Sequence, residues 1–149
     1  MIIELKKLSI YLQPKIAKQH VIAVNEGAAV SIAIGNYLAT KKVPCVYMQN
    51  SGLSNALNPL ISIANKRVYS IPLVLLIGWR GSPNIKDEPQ HKVKGKITLD
   101  LLDLLGIKYT ILRKENDLNR FNKQISSARK NKTIVAGLIE QGTLKSNIG

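Results

Sequence analysis

Apolar and polar positions fall in blocks along this chain. Five short apolar runs, Val21–Val24, Val43–Met48, Ile71–Ile77, Ile107–Leu112 and Thr133–Ile139, predict five β-strands. Between them lie helical stretches. In residues 4–19, Leu5, Leu8, Leu12 and Ile16 recur at three- or four-residue spacing, and Pro14 interrupts the pattern. Gly27–Ala39 is almost wholly small or apolar, which predicts a helix buried on most sides. Leu53–Ala64, Ile97–Leu105 (closed by Gly106) and Asp117–Lys130 complete the helices. Strands alternating with helices predict an α/β fold: three layers, with a parallel sheet of about five strands flanked by helices. The near-continuous apolar character of Ile71–Ile77 fits a strand covered on both faces.

The polar residues between these blocks are concentrated. Three loops follow strands and open on the same sheet edge, where α/β proteins bind ligands. They carry Asn25-Glu26-Gly27, Gln49 through Asn55, and Gly78-Trp79-Arg80-Gly81 through His91. Glu26 stands where the first predicted strand ends and the small-residue helix begins. One reading is a ligand contact; the other is a first-turn acid complementing the helix dipole. Turn chemistry alone also accounts for Gly, Asn and Pro in such loops.

The chain's 149 residues suffice for one domain with a substantial core. The net charge of +13 raises the question of nucleic acid, but the 22 basic residues are scattered and no aromatic platform accompanies them. The reading is therefore no nucleic-acid partner. No apolar run approaches bilayer length, and Met1–Lys7 lacks a signal-peptide pattern, so the chain is expected in the cytoplasm without a membrane partner. The single cysteine, Cys45, sits in an apolar run and reads as a core thiol.

Several chemistries lack their motifs. There is no Gly-x-Gly-x-x-Gly after a strand and no Walker phosphate loop. Asp87-Glu88-Pro89-Gln90-His91 carries metal-type side chains, but no second His or Cys group joins them and Pro89 argues against a helix that would stack Glu88 on His91; no metal ligand is assigned. Ser51 between Asn50 and Gly52 is not a nucleophile elbow.

Three segments together resemble one family: His20–Gly27, Val46–Leu60 with its Tyr-Met-Gln-Asn-Ser-Gly-Leu string, and Ile71–Gly81 with Lys86-Asp87-Glu88-Pro89-Gln90-His91. The chain is similar, from about Val21 to Leu105, to the phosphonopyruvate decarboxylases and the α subunits of sulfopyruvate decarboxylases, which are thiamine-diphosphate enzymes. The resemblance implies that residues 1–149 form a single pyrimidine-binding domain. Glu26 matches the glutamate that hydrogen-bonds the cofactor's aminopyrimidine ring and shares a proton with it. Asn50, Ser51, Gly52 and Asn55 match the loop beside that ring, with Gly52 permitting close approach. Asp87, Glu88 and Gln90 match a segment lining the substrate pocket, His91 a proton donor in turnover, and Arg80 a guanidinium able to meet a phosphonate or sulfonate.

Two features of the family are lacking in this sequence. In the family a strand and helix with a Gly-Val-Pro-Asp-Ser type motif come before the matching region, whereas this sequence opens at what would be that helix, and the Gly-Asp-Gly…Asn signature of the diphosphate-binding domain does not occur in it. The resemblance therefore implies a module that decarboxylates phosphonopyruvate or sulfopyruvate, releasing CO2 and an aldehyde, only when a diphosphate-binding partner chain supplies the Mg2+ site. A homo-oligomer and a small 2-oxo acid substrate are also implied. The alternative is a truncated, non-catalytic interaction or regulatory domain.

Overall fold

A computed structural model describes residues 3–83 and 85–144, with the side chains of residues 3 and 4 outside that description. The elements are α1 (Ile3–Lys15), α2 (Glu26–Thr40), β1 (Cys45–Gln49), α3 (Leu57–Pro59), β2 (Leu73–Trp79), α4 (Pro89–Leu104), β3 (Lys108–Leu112), α5 (Glu115–Asn131) and β4 (Ile134–Glu140). All strand pairings are parallel, in the order β1-β2-β4-β3. The two central strands are the most apolar: all seven residues of β4 are buried, as expected where helices cover both faces.

Alternation along the strands divides the core. Leu73, Leu75 and Ile77 of β2 join Ala136 and Leu138 of β4 on one face. Val30 and Ile34 of α2, Leu60, and Leu102 of α4 pack there. Val74, Val135 and Ile139 point to the other face, against Phe121 and Ala128 of α5. The predicted three layers are present, with four strands among the described residues.

Val21–Val24 is not a strand. Val21, Ile22 and Val24 are 63%, 74% and 93% exposed, and β1 pairs with β2 alone among the described residues. Apolar composition suggested a strand, but a strand needs a hydrogen-bonded neighbour, and these residues have none. For the same reason Cys45, at the start of edge strand β1, is exposed rather than a core thiol.

Three helices also differ from their sequence pattern. In α2, Val30, Ala33 and Ile34 are buried while Ile32 and Leu38 are about half exposed, so that helix covers the sheet with one face only. Leu53–Ala64 is not one α-helix: a 3-10 segment Asn50–Ala56 leads into the single turn α3 and a wider π-turn, Leu60–Ala64. Pro59 lies at that junction and can donate no backbone hydrogen bond, which breaks the regular ladder. The helix expected at Ile97 begins eight residues earlier, at Pro89. Proline suits the first helical position, where its missing N–H is not needed, so Pro89 starts α4 rather than preventing a helix.

Candidate functional site

The three polar loops meet at the carboxyl end of the sheet. α2 begins with Asn25 as its cap, whose side chain accepts the Ala28 N–H at 2.8 Å. That cap fixes Glu26 as the first helical residue, where an acid also complements the helix dipole. Glu26 then meets the 3-10 segment after β1. Asn55 Nδ2 donates to Glu26 Oε2 at 3.0 Å. Glu26 Oε1 takes no hydrogen bond among the described residues. Gly52 faces the same carboxyl group so closely that a Cβ there would lie 2.2 Å from Glu26 Cδ and Oε1. A Cβ on Gly27 would come within 2.7 Å of the Asn55 carbonyl oxygen. Glycine at both positions lets the helix start and the loop press together.

Asn50 serves a different purpose. Its side chain is buried, donating to the Arg80 carbonyl and to Thr98 Oγ1, both at 3.0 Å, and accepting the Arg80 N–H at 3.3 Å. It ties the end of β1 to the end of β2 and to α4. Ser51 lies between Asn50 and Gly52, and its carbonyl accepts the Ser54 hydroxyl at 3.2 Å. Thr98 was not legible as part of this network: a threonine within an otherwise ordinary helical pattern carries no signal in sequence.

The loop after β2 is held by charge. Asp87 accepts from Arg80 Nη2 at 3.0 Å and Nε at 3.4 Å, from the Gly81 N–H at 3.1 Å and from the Glu88 N–H at 2.9 Å. The Arg80 guanidinium, followed by these backbone donors, lowers the Asp87 pKa below the usual carboxylate value. Arg80 is thus engaged inside its own loop. Glu88, Gln90 and His91 gather where α4 begins: Gln90 Nε2 donates to Glu88 Oε2 at 2.8 Å, and His91 Nε2 lies 3.8 Å from the same oxygen. The His91 side chain is 17% exposed and that of Glu88 66%. Gly81, at φ +73°, lets the loop pass the His91 carbonyl, which would lie 1.6 Å from a Cβ. No group of three His, Cys, Asp or Glu side chains able to hold a metal occurs among the described residues. No described helix is long and apolar enough to cross a membrane.

A second polar cluster lies at the end of β4. Glu140 is buried, receives Arg113 through Nε at 2.6 Å and Nη2 at 3.0 Å, and bonds the Ser82 hydroxyl. The signal for it was present: Glu140 is an acid closing the run Ile134–Ile139.

The described residues thus place a helix-starting glutamate against a glycine loop at the carboxyl end of a parallel sheet, the edge where α/β domains meet ligands. Residues 7–116 match the thiamine pyrophosphate enzyme, N-terminal TPP binding domain family, and the chain belongs to it. It is 40% identical over 101 residues to the phosphonopyruvate decarboxylase of Streptomyces viridochromogenes, a match covering 68% of this chain and 25% of that protein. With the Streptomyces hygroscopicus phosphonopyruvate decarboxylase the identity is 38% over 96 residues, 64% of this chain and 23% of the relative. With the sulfopyruvate decarboxylase subunit alpha of Methanococcus maripaludis it is 33% over 105 residues, 70% of this chain and 60% of the relative. The chain therefore spans about a quarter of the first relatives and three fifths of the last.

Proposed function

We propose that this chain is the pyrimidine-binding module of a thiamine-diphosphate-dependent decarboxylase acting on phosphonopyruvate or sulfopyruvate. The observation that carries the reading is the Glu26 corner: one carboxylate oxygen held by Asn55, the other without a hydrogen bond among the described residues, and the carboxyl group laid against Gly52 where any side chain would collide with it. Those features suit a flat heteroaromatic ring with a nitrogen to share a proton. When bound, the cofactor supplies the electron sink for loss of the carboxylate of a 2-oxo acid.

The chain's own residues have narrower tasks. Glu26 Oε1 would be the group to share a proton with a bound ring, and Asn55 holds Glu26 Oε2, leaving Oε1 without a hydrogen bond. Gly52 and Ser51 contribute the loop wall beside the ring. Asn50 acts through others: it fixes the loop after β1 to the loop after β2. Asp87 and Arg80 hold the second loop in shape. His91, with Glu88 and Gln90 beside it, is the group able to deliver a proton to the substrate.

The diphosphate and its Mg2+ need ligands from another domain. A diphosphate-binding partner chain would supply them, in a cytoplasmic assembly that includes more than one copy of this chain.

The test is to isolate the chain from its native lysate, identify a stoichiometric partner bearing a Gly-Asp-Gly…Asn segment, and assay the pair on both substrates. Decarboxylation that falls by about 10²-fold or more in Glu26→Gln supports the reading. An active pair indifferent to Glu26→Gln contradicts it. The absence of any such partner favours the interaction-domain alternative instead.

A further inference from the structure

Beside the loop after β2 lies a cavity of about 500 Å³ that the cofactor reading does not use. Its size is that of a small-ligand site. Lys86 from the loop and Lys92 and Lys96 from α4 line it, over a floor that includes Trp79 and Leu99. Lys92 and Lys96 are one helical turn apart and so share a face. Like charges at that spacing repel, and no compensation is present: none of the three lysines has an ion-pair partner among the described residues. Glu88, at the cap of α4, and Asp100, within it, each four residues from the nearer lysine, make no pair with Lys92 or Lys96 among the described residues.

The nearby acids are committed elsewhere. Asp87 is engaged by Arg80. Glu140 is bound by Arg113 and by Ser82, which also lines the cavity. The cavity therefore combines three exposed, uncompensated positive charges with an apolar floor, so an anion entering it meets lysine charge and no free carboxylate among the lining residues.

We infer that this cavity binds a compact, multiply charged tetrahedral oxyanion, a phosphoryl or phosphonyl group, through Lys86, Lys92 and Lys96. Lysine ammoniums suit such a group as point charges. Three cations around one concave space favour a dianion over a single carboxylate. A polynucleotide is disfavoured by the absence of stacking aromatic residues along a groove. The same chemistry has two sources: the phosphonate head of a 2-oxo acid, or free inorganic phosphate. The inference rests on the cavity and not on cofactor binding. It also differs from the assignment of anion contact to Arg80, whose guanidinium is already held by Asp87.

The test is calorimetric titration of the full chain with inorganic phosphate, phosphonopyruvate and pyruvate at low and moderate salt. Saturable phosphate binding is expected to weaken about tenfold or more in Lys92→Ala/Lys96→Ala, while Lys92→Arg/Lys96→Arg stays within about twofold. The charge-matched control Lys123→Ala/Lys130→Ala, on exposed positions of α5, is expected to bind as the unmodified chain does. Should the double alanine variant fold poorly, Lys86→Ala in the loop reads the same loss. Phosphonopyruvate binding well above phosphate, with the same lysine dependence, identifies a phosphonate head; equal affinities identify free phosphate. Either supports the site. No saturable phosphate binding, binding unchanged in Lys92→Ala/Lys96→Ala, or equal loss in the α5 control overturns it. Glu26→Gln is expected to leave phosphate binding intact, so failure here and failure of the cofactor reading are separable.

Discussion

Two carboxylates stand at the same sheet edge and are treated in opposite ways. Asp87 receives two guanidinium and two backbone donors. Glu26 receives one amide, from Asn55, and rests against a glycine. An acid with every lone pair used holds a loop in shape; one with an oxygen free of hydrogen bonds remains able to engage a ligand. The loop after β2 is thus locked by polar bonds and by a glycine at positive φ that passes close to the His91 backbone. The Glu26 corner is held by close packing of the helix start on the loop, with the acid half-buried and one of its oxygens without a hydrogen bond.

The contrast is broken most severely at Gly81. Its positive φ disfavours any side chain, and the obstacle is the His91 backbone. Gly81→Ala is expected to destabilise by about 3 kcal/mol, read as a lower urea midpoint at constant slope.

Asp87→Asn comes next and carries a pH signature. The Asp87 pKa is lowered in the fold, chiefly by Arg80. Its stabilisation is therefore complete above the unfolded value of about 3.9 and lost as pH falls through the lower folded value. Urea midpoints measured from neutral to acid pH should show Asp87→Asn weaker than the unmodified chain at neutrality and converging with it in acid. A constant difference across that range would mean the charge plays no part.

At Gly52 the obstacle is the movable end of a side chain rather than backbone. Gly52→Ala should cost only about 1 kcal/mol of stability, because Glu26 can swing aside. It should nevertheless abolish ligand engagement at the corner, since the swing removes the acid. Glu26→Gln is the gentlest change, within about 0.5 kcal/mol by urea denaturation, because the amide is isosteric and one oxygen still accepts from Asn55.

The same contrast explains what the sequence made legible. Strands β1 to β4 were readable because their apolar runs are buried in the sheet and period and burial agree. Val21–Val24 was not, because its apolar composition is identical in kind and only the lack of a pairing neighbour distinguishes it. Pro89 was misread as a helix breaker because its position relative to the helix start decides its effect. Within the site, Glu26, Gly52 and Asn55 were named together from their motif strings, and the geometry brings those three into contact. Asn50 was named with them, yet its side chain turns inward to Arg80 and Thr98. The Arg80–Asp87 pairing was not visible, because charges seven residues apart in a loop carry no fixed spacing rule. The lysines at 92 and 96 looked like ordinary solvated charge until the cavity beside them was known.

The most direct test of the central claim, that the Glu26 corner receives the pyrimidine ring, is a titration of isotope-labelled chain with thiamine diphosphate followed by amide chemical shifts. The account predicts shifts centred on Glu26, Gly27, Gly52 and Asn55 that vanish in Glu26→Gln. Shifts centred elsewhere, or a pattern at this corner that Glu26→Gln leaves unchanged, would contradict it.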